Sequence, residues 1–421
     1  MMPPLVRLAA QSAWNRRAAL SLTVLAVALS VMLLIGVERL REQVRGGFEQ
    51  SVSGADLIVG ARGSPLQLML YSVFRIGEAT HNMEWSSVEA LAAHPAVAWT
   101  IPVSLGDSHR GYPVLATNHA YFAHFRYGDR RSLALAEGHA FDGVFEAVLG
   151  AEVADAQGYR PGDRIVLAHG SGESRLADHA DKPFTVTGIL ARTGTPVDNT
   201  VHISLAAMEA IHLGWQGGAL IPGMQIPAEY VQKFDLTPKT VTAVIVGLKS
   251  RAAVFSVQRW INGFRAEPLM AVLPGVALAQ LWQAIGYGEK ALLAVSALVV
   301  GVGLAGLVAV VLAGLDQRRR ELAILRAVGA RPRDILTLLT LEGLGLTVIG
   351  ALLGFVLLTV LSLVATPLVE ARFGLSLTTG LPSVHELFLL AGVIITGFVA
   401  SLLPGWRAYR VSLADGLTPK T

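Results

Sequence analysis

The 421-residue sequence has no cysteine. That excludes disulfides and thiolate metal sites, and it leaves the redox compartment open. Charge is scarce too: Asp, Glu, Lys and Arg make up 15% of the chain, against about 25% in an ordinary soluble protein. The formal net charge is only +3, so no basic nucleic-acid surface is indicated. No Gly-x-x-x-x-Gly-Lys-Ser/Thr phosphate loop occurs. The glycine-rich stretch at 170–174 lacks the lysine, so nucleotide binding of the usual kind is excluded. No Gly-x-Ser-x-Gly elbow supports a hydrolase built on Ser171 with His169 or Asp178.

What the chain has in excess is apolar sequence, at 52% of residues. Four runs reach the length of about 20 residues that crosses a bilayer. They are 18–37, 291–315, 335–369 (uncharged from 343) and 387–406. Glycines in the second and third would let helices approach closely. The first is too long for the apolar core of a signal peptide, and Ile35-Gly36-Val37-Glu38 is a poor cleavage site. Arginine and lysine near the ends of the runs set the expected orientation. Residues 1–17 carry Arg7, Arg16 and Arg17. The 316–334 segment carries Arg318, Arg319, Arg320, Arg326, Arg331 and Arg333, and the 407–421 tail carries Arg407, Arg410 and Lys420. The short 370–386 loop carries only Arg372. These counts predict cytoplasmic termini, a cytoplasmic 316–334 segment, and an external 38–290 segment, periplasmic in a Gram-negative cell.

The external segment alternates short strand-like and helix-like stretches. Strands are expected at 56–59, 96–103, 112–116, 164–168, 184–190, 200–203 and 240–248. Helices are expected at 85–94, 147–158, 205–212 and 250–264. Polar helical stalks are expected at 38–50 and 275–290. The fold class is therefore four transmembrane α-helices plus a large α+β periplasmic domain inserted between the first and second spans. The 66–76 stretch, LQLMLYSVFRI, is unusually apolar. It reads as core or as a helix against a stalk. The alternative is an apolar surface for a lipid, an acyl chain or a partner, in which Leu66, Leu68, Met69, Leu70 and Phe74 make the contacts.

Ten of the eleven histidines lie in the external segment. His119 and His124, with His109 and His139 near them, invite a metal reading because neutral imidazole is a common ligand. No HxH or HExxH spacing supports it. These side chains read as ordinary surface or core histidines, with no metal residue assigned.

The 316–334 segment carries a sharper pattern. Residues 320–335, RELAILRAVGARPRDI, followed by Glu342, resemble the segment between the second and third spans of the MacB, LolC/LolE and FtsX group of ABC-transporter permeases. The core R-E-x-x-I-x-R-A-x-G-A is similar to that family's motif. The ending at 404–417, PGWRAYRVSLADGL, is similar to the family's ending, with departures at Ser412 and Gly416. Leu149-Gly150-Ala151-Glu152-Val153-Ala154, the turn at 161–163 and the 184–189 stretch resemble a MacB-type periplasmic core. The resemblance implies that Glu321, Arg326, Val328, Gly329 and Ala330 couple the chain to a cytoplasmic ABC ATPase dimer. ATP and Mg would sit on that separate chain, with no cofactor on this one. It also implies a second permease copy, as a homodimer or related heterodimer, and room for a periplasmic adaptor or substrate-accepting protein. The implied function is mechanotransmission: ATP hydrolysis moves the periplasmic domain to export or extract a hydrophobic or envelope substrate such as a lipoprotein, lipid or drug. An FtsX-like signalling role, regulating a periplasmic cell-wall hydrolase, is the alternative.

Overall fold

The computed structural model describes residues 17–51, 53–77, 79–170, 177–216, 219–221, 226–317, 319–373 and 382–410. Outside them lie Arg7, Arg16, Arg318 and Lys420, nearly all of the 170–174 stretch, the 374–381 part of the 370–386 loop and the 411–417 part of the C-terminal motif. The side chains of Arg319, Arg320, Glu321, Arg372 and Arg410 also lie outside. In chain order the helices are α1 (Arg17–Gln50), α2 (Pro65–Ser72), α3 (Trp85–Ala92), α4 (His119–His124), α5 (Ala151–Gln157), α6 (Leu205–His212), α7 (Val254–Asn262), α8 (Pro274–Gln317), α9 (Arg319–Ala327), α10 (Pro332–Phe373) and α11 (Val384–Arg410). The main sheet has β1 (Leu57–Ala61), β2 (Val97–His109), β3 (Tyr112–Thr117), β4 (Leu135–Gly138), β5 (Glu146–Leu149), β6 (Arg164–Ile165), β7 (Ala168–His169), β8 (Ala177–Asp178), β9 (Phe184–Leu190), β10 (Val201–Ser204), β11 (Ala243–Leu248) and β12 (Leu269–Val272). The chain divides into two compact units. One is Met1–Gln43, Gly286–Pro367 and Leu377–Thr421; the other is Val44–Ile285 and Leu368–Ser376.

The first unit is helical. Helices α1, α8, α10 and α11 each contain a stretch long and apolar enough to cross a membrane. Its core joins Val27, Val31 and Ile35 of α1 to Leu304, Leu307 and Val311 of α8, and Leu339, Ala351 and Leu358 of α10. Small residues set the closest approaches. A Cβ added at Gly354 would stand 2.4 Å from the Ala28 carbonyl oxygen, and one at Gly350 would stand 2.7 Å from Val27. This glycine pair, four apart on α10, lets that backbone lie against α1. The Ser30 hydroxyl donates to the Val299 carbonyl of α8 at 3.3 Å. Ser383 and Glu386 bond reciprocally at the start of α11, the arrangement of a capping box. Glu386 also takes Arg39 in a two-pronged pair, with Nε–Oε1 at 2.8 Å and Nη2–Oε2 at 2.9 Å, and both side chains are buried.

The second unit is built on a 12-stranded sheet with path order β12-β1-β11-β2-β3-β10-β5-β9-β4. Pairing is antiparallel except between β10 and β3 and between β5 and β9. Strand β11 shows why the sheet is central. Val244 and Val246 face one core, with α3, α5, α6 and α7, while Ala243 and Ile245 face a second, with α2 and α4. A strand buried on both faces reads as continuously apolar, as Ala243-Val244-Ile245-Val246 does.

Several expectations need correction. Residues 147–158 are not one helix. They form β5, a break at Gly150, and α5. The helix does not continue back through Gly150, which is extended (φ −67°, ψ 154°) as the N-cap of α5, and β5 is taken up between β9 and β10. The expected strand at 164–168 is two short strands, β6 and β7, with different partners. The strand expected at 96–103 runs on to His109, because β2 changes partner from β11 to β3 and is bulged between Leu105 and Ser108. Leu68, Met69 and Phe74 are buried in the second core. They therefore present no surface to a ligand; Leu66 and Leu70 pack half-buried against the same core.

Candidate functional site

The turn between α9 and α10 is built by local chemistry. Gly329 has φ +107°, a conformation that favours glycine because it has no Cβ. Its N–H donates to the Arg326 carbonyl at 3.1 Å, and the Ala330 N–H reaches back to the Leu325 carbonyl at 3.0 Å. These two bonds form a Schellman cap that ends α9. Helix α10 then starts at Pro332, which needs no N–H partner there. The Asp334 carboxylate accepts the Arg331 N–H at 2.8 Å. The cap turns apolar side chains outward: Val328 is 84% exposed and Ile324 is 57% exposed. Arg326 lies half-buried one helical turn before the glycine, and Ala330 lies just after it.

The structure separates the four histidines that the sequence groups. His109 bonds the Val166 carbonyl (2.7 Å) and the Tyr159 hydroxyl (3.0 Å). His119 faces Asp142 at 3.7 Å. The His124 ring stacks on Trp99, and His139 bonds the Ala140 carbonyl next to it.

A different set converges instead. Asp107, His169, His179 and His212 each offer one ligand atom, and these atoms lie within 4.8 Å of one another. Gly106, with φ +155°, sits at the β2 bulge just before Asp107. Asp107 pairs directly with His169 across the antiparallel contact of β2 with β7. His179 follows β8, which pairs with β7, and the His179 N–H is held by the Leu167 carbonyl at 2.9 Å. His212 is the last residue of α6. Its Nδ1 bonds the Met208 carbonyl at 2.8 Å, which leaves Nε2 for the cluster.

Asp107 Oδ1 lies 3.1 Å from His169 Nδ1, 3.6 Å from His212 Nε2 and 3.9 Å from His179 Nε2. His169 Nδ1 and His212 Nε2 are 3.1 Å apart. Trp215 lies against the cluster, with its ring centroid 4.5 Å from that of His179. Asp107 and His179 are buried, while the His169 and His212 side chains keep 23% and 27% exposure. Burial alone would raise the Asp107 carboxyl; the three imidazoles around it more than reverse that and hold it below the usual carboxylate range. Burial alone would lower His212, and Asp107 more than offsets it, so His212 is raised. Sequence spacing gave no signal for this set, whose members lie on four separate elements.

Two family models match the chain: the MacB-like periplasmic core domain over residues 20–264 and the FtsX-like permease C-terminal over residues 293–413. Among its relatives is the macrolide export ATP-binding/permease protein MacB of Azoarcus sp. (strain BH72), 24% identical over 387 residues that cover 86% of this chain and 54% of that protein. Another is the pyoverdine export ATP-binding/permease protein PvdT of Pseudomonas syringae pv. tomato, 27% identical, covering 96% of this chain and 58% of that protein. The chain thus spans a little over half the length of these relatives. Among solved structures, the periplasmic region of MacB from Actinobacillus actinomycetemcomitans aligns at 12% identity with TM-score 0.34, covering 57% of this chain and 96% of that one. The chain belongs to the MacB/FtsX family of ABC-transporter permeases, with a MacB-like periplasmic core domain followed by an FtsX-like permease domain.

Proposed function

We propose that this permease works by mechanotransmission. An ABC ATPase on a separate chain docks at the turn between α9 and α10, and its ATP-driven closure moves the membrane helices. The observation that carries this reading is the capped turn itself, which holds Val328 and Ile324 exposed beside Arg326. An exposed apolar pair on a short, tightly fixed helix end suits docking by a protein surface. Helices α1 and α8 run unbroken over 34 and 44 residues, longer than the roughly 20 residues a crossing needs. The orientation we adopt places the turn and both termini in the cytoplasm and the sheet domain in the periplasm, following the arginine distribution. The permease acts as a dimer. Its work is export or extraction of a hydrophobic or envelope substrate, the class suggested by relatives named as macrolide and pyoverdine exporters.

The test is mass spectrometry of chains that co-purify in mild detergent with the wild type and with Arg326→Glu, Val328→Asp and Gly329→Pro. We expect a Walker-type ATPase in near-equal amount with the wild type, and a loss of about tenfold or more with the variants, as for removal of a docking hot spot. Recovery of the chain without an ATPase, even after crosslinking at Val328, would sink the coupling reading. A cell-wall hydrolase in stoichiometric amount would replace export by the signalling alternative.

A further inference from the structure

We infer that Asp107, His169, His179 and His212 form a binding site for one divalent transition-metal ion of the zinc class, placed where β2, β7, the end of β8 and the end of α6 meet. The inference stands apart from the coupling reading and uses none of its residues.

Distances separate an ion site from a hydrogen-bonded cluster. The 3.6 Å and 3.9 Å separations from Asp107 Oδ1 to His212 Nε2 and His179 Nε2 exceed the roughly 2.7–3.2 Å range of N–H···O bonds. Donors that share a tetrahedral ion at about 2.0–2.2 Å stand about 3.3–3.6 Å apart. Four of the observed separations, 3.1–3.9 Å, bracket that spacing, and all four donor atoms lie within 4.8 Å of one another. Small side-chain adjustments would bring the four atoms onto one ion.

Unpaired buried atoms point the same way. His179 is 0% exposed, and neither ring nitrogen has a hydrogen-bond partner among the described residues. The second carboxylate oxygen of Asp107, Oδ2, is also buried without one. Burying polar atoms unpaired is costly. An ion on His179 Nε2 and Asp107 Oδ1 would satisfy that ring nitrogen and compensate the carboxylate's charge. His212 is held as a ligating imidazole usually is, with one ring nitrogen on a backbone carbonyl and the other aimed into the cluster.

The donor set selects the ion. Three imidazoles and one carboxylate favour zinc and its neighbours over calcium or magnesium, which prefer oxygen ligands. Four protein donors close a tetrahedron and leave no position for a reactive water, so the site is structural rather than hydrolytic. Its ligands lie on separate elements, so an ion would tie β7, the chain after β8 and the end of α6 to β2. The partial exposure of His169 and His212 gives the ion a way in.

The test uses the full chain in detergent, stripped with a chelator and desalted. Zinc retention is measured by plasma mass spectrometry, and cobalt(II) coordination by visible absorption. We expect one zinc per chain, tetrahedral cobalt bands, and a thermal midpoint raised by about 5–10 °C at a hundredfold excess of free zinc over Kd. His169→Ala and His212→Ala are partly exposed positions that need not disturb folding. Each should weaken zinc binding by more than about 100-fold, since losing only a group that hydrogen-bonds a ligand costs about 10- to 100-fold. His179→Gln should abolish the cobalt bands, and His119→Ala and His139→Ala should change nothing. Absence of retained zinc and of cobalt bands in the wild type overturns the inference. So does zinc binding that survives both His169→Ala and His212→Ala, or that is lost in His119→Ala.

Discussion

Val302 and Val244 carry the same side chain and are treated oppositely. Val302, on α8, is 73% exposed; Val244, on β11, is 0% exposed. The contrast runs through both units. On the helical unit, Leu22, Leu298, Val302, Val364 and Phe388 point outward, while Thr23, Ser30, Ser296, Thr347 and Ser401 are buried. In the sheet unit, the two cores are built from Val, Ile, Leu, Phe, Met, Ala and Tyr. The difference is one of solvent. Around spanning helices hydrocarbon is the medium, so apolar side chains gain nothing by turning inward. Small and hydroxyl residues, which allow close helix approach and hydrogen bonding, join Val, Leu and Ile in the contacts. In water the ranking reverts to burial of apolar area.

The strongest way to break this comparison lies in the helical unit's buried ion pair. Glu386→Ala would leave Arg39 buried with its carboxylate gone and would remove half of the α11 capping box. Removing one partner of a buried pair costs about 3–5 kcal/mol. The double variant Arg39→Met/Glu386→Leu should recover most of that, because an apolar pair of similar volume leaves no uncompensated charge. Thermal unfolding of the full chain in detergent checks both. A single variant as stable as the double would mean the pair is not buried in the membrane-embedded protein.

Truncation sharpens the same comparison. Phe184→Ala in β9, where the ring is fully buried against the edge of Phe145, should cost about 3–5 kcal/mol. Val302→Ala, on an outward face, should cost less than about 0.5 kcal/mol. Matching losses for the two would show that α8 buries this face against another protein, such as a second permease copy, rather than lipid.

What could be read from the sequence follows the same division. The four spans were legible because composition over about 20 residues decides them. Helix α6 was legible at both ends, where Ser204 caps the start and His212 ends the periodic run. The Gly329 turn was legible because a glycine between two helical patterns, followed by Pro332, is a local signal. What resisted was non-local. Gly150 interrupts the helical pattern as an extended residue, and a side chain there would meet the Val197 carbonyl, 47 positions away. The 66–76 stretch could be core or surface, and only the sheet above it decides. The histidine cluster draws one residue from a bulge, two from short edge strands and their exit, and one from a helix end, between positions 107 and 212. No short spacing could reveal it, and the histidines closest in sequence, His119 and His124, have unrelated partners.

The smallest effect concerns His202 in the sheet unit. It is buried on β10. Its Nδ1 meets the Val148 carbonyl at 3.2 Å, its ring lies 5.3 Å from that of Tyr121, and Arg75 is the cation that acts on it. Burial, reinforced by the Arg75 charge, lowers its pKa to about 3. In the unfolded chain a histidine titrates near about 6.5. Between these values the unfolded chain binds the proton that the folded domain refuses. The stabilisation is therefore full above pH about 6.5 and declines as pH falls, by up to about 1.4 kcal/mol per unit, until the folded group itself protonates near pH about 3. His202→Phe should remove this dependence without adding a titrating group. The difference in stability between wild type and variant, followed by unfolding from pH 7.5 to 5, should thus change by about 1–2 kcal/mol in the variant's favour as pH drops. A difference that stays flat across that range would mean His202 reaches water or a partner that accepts its charge.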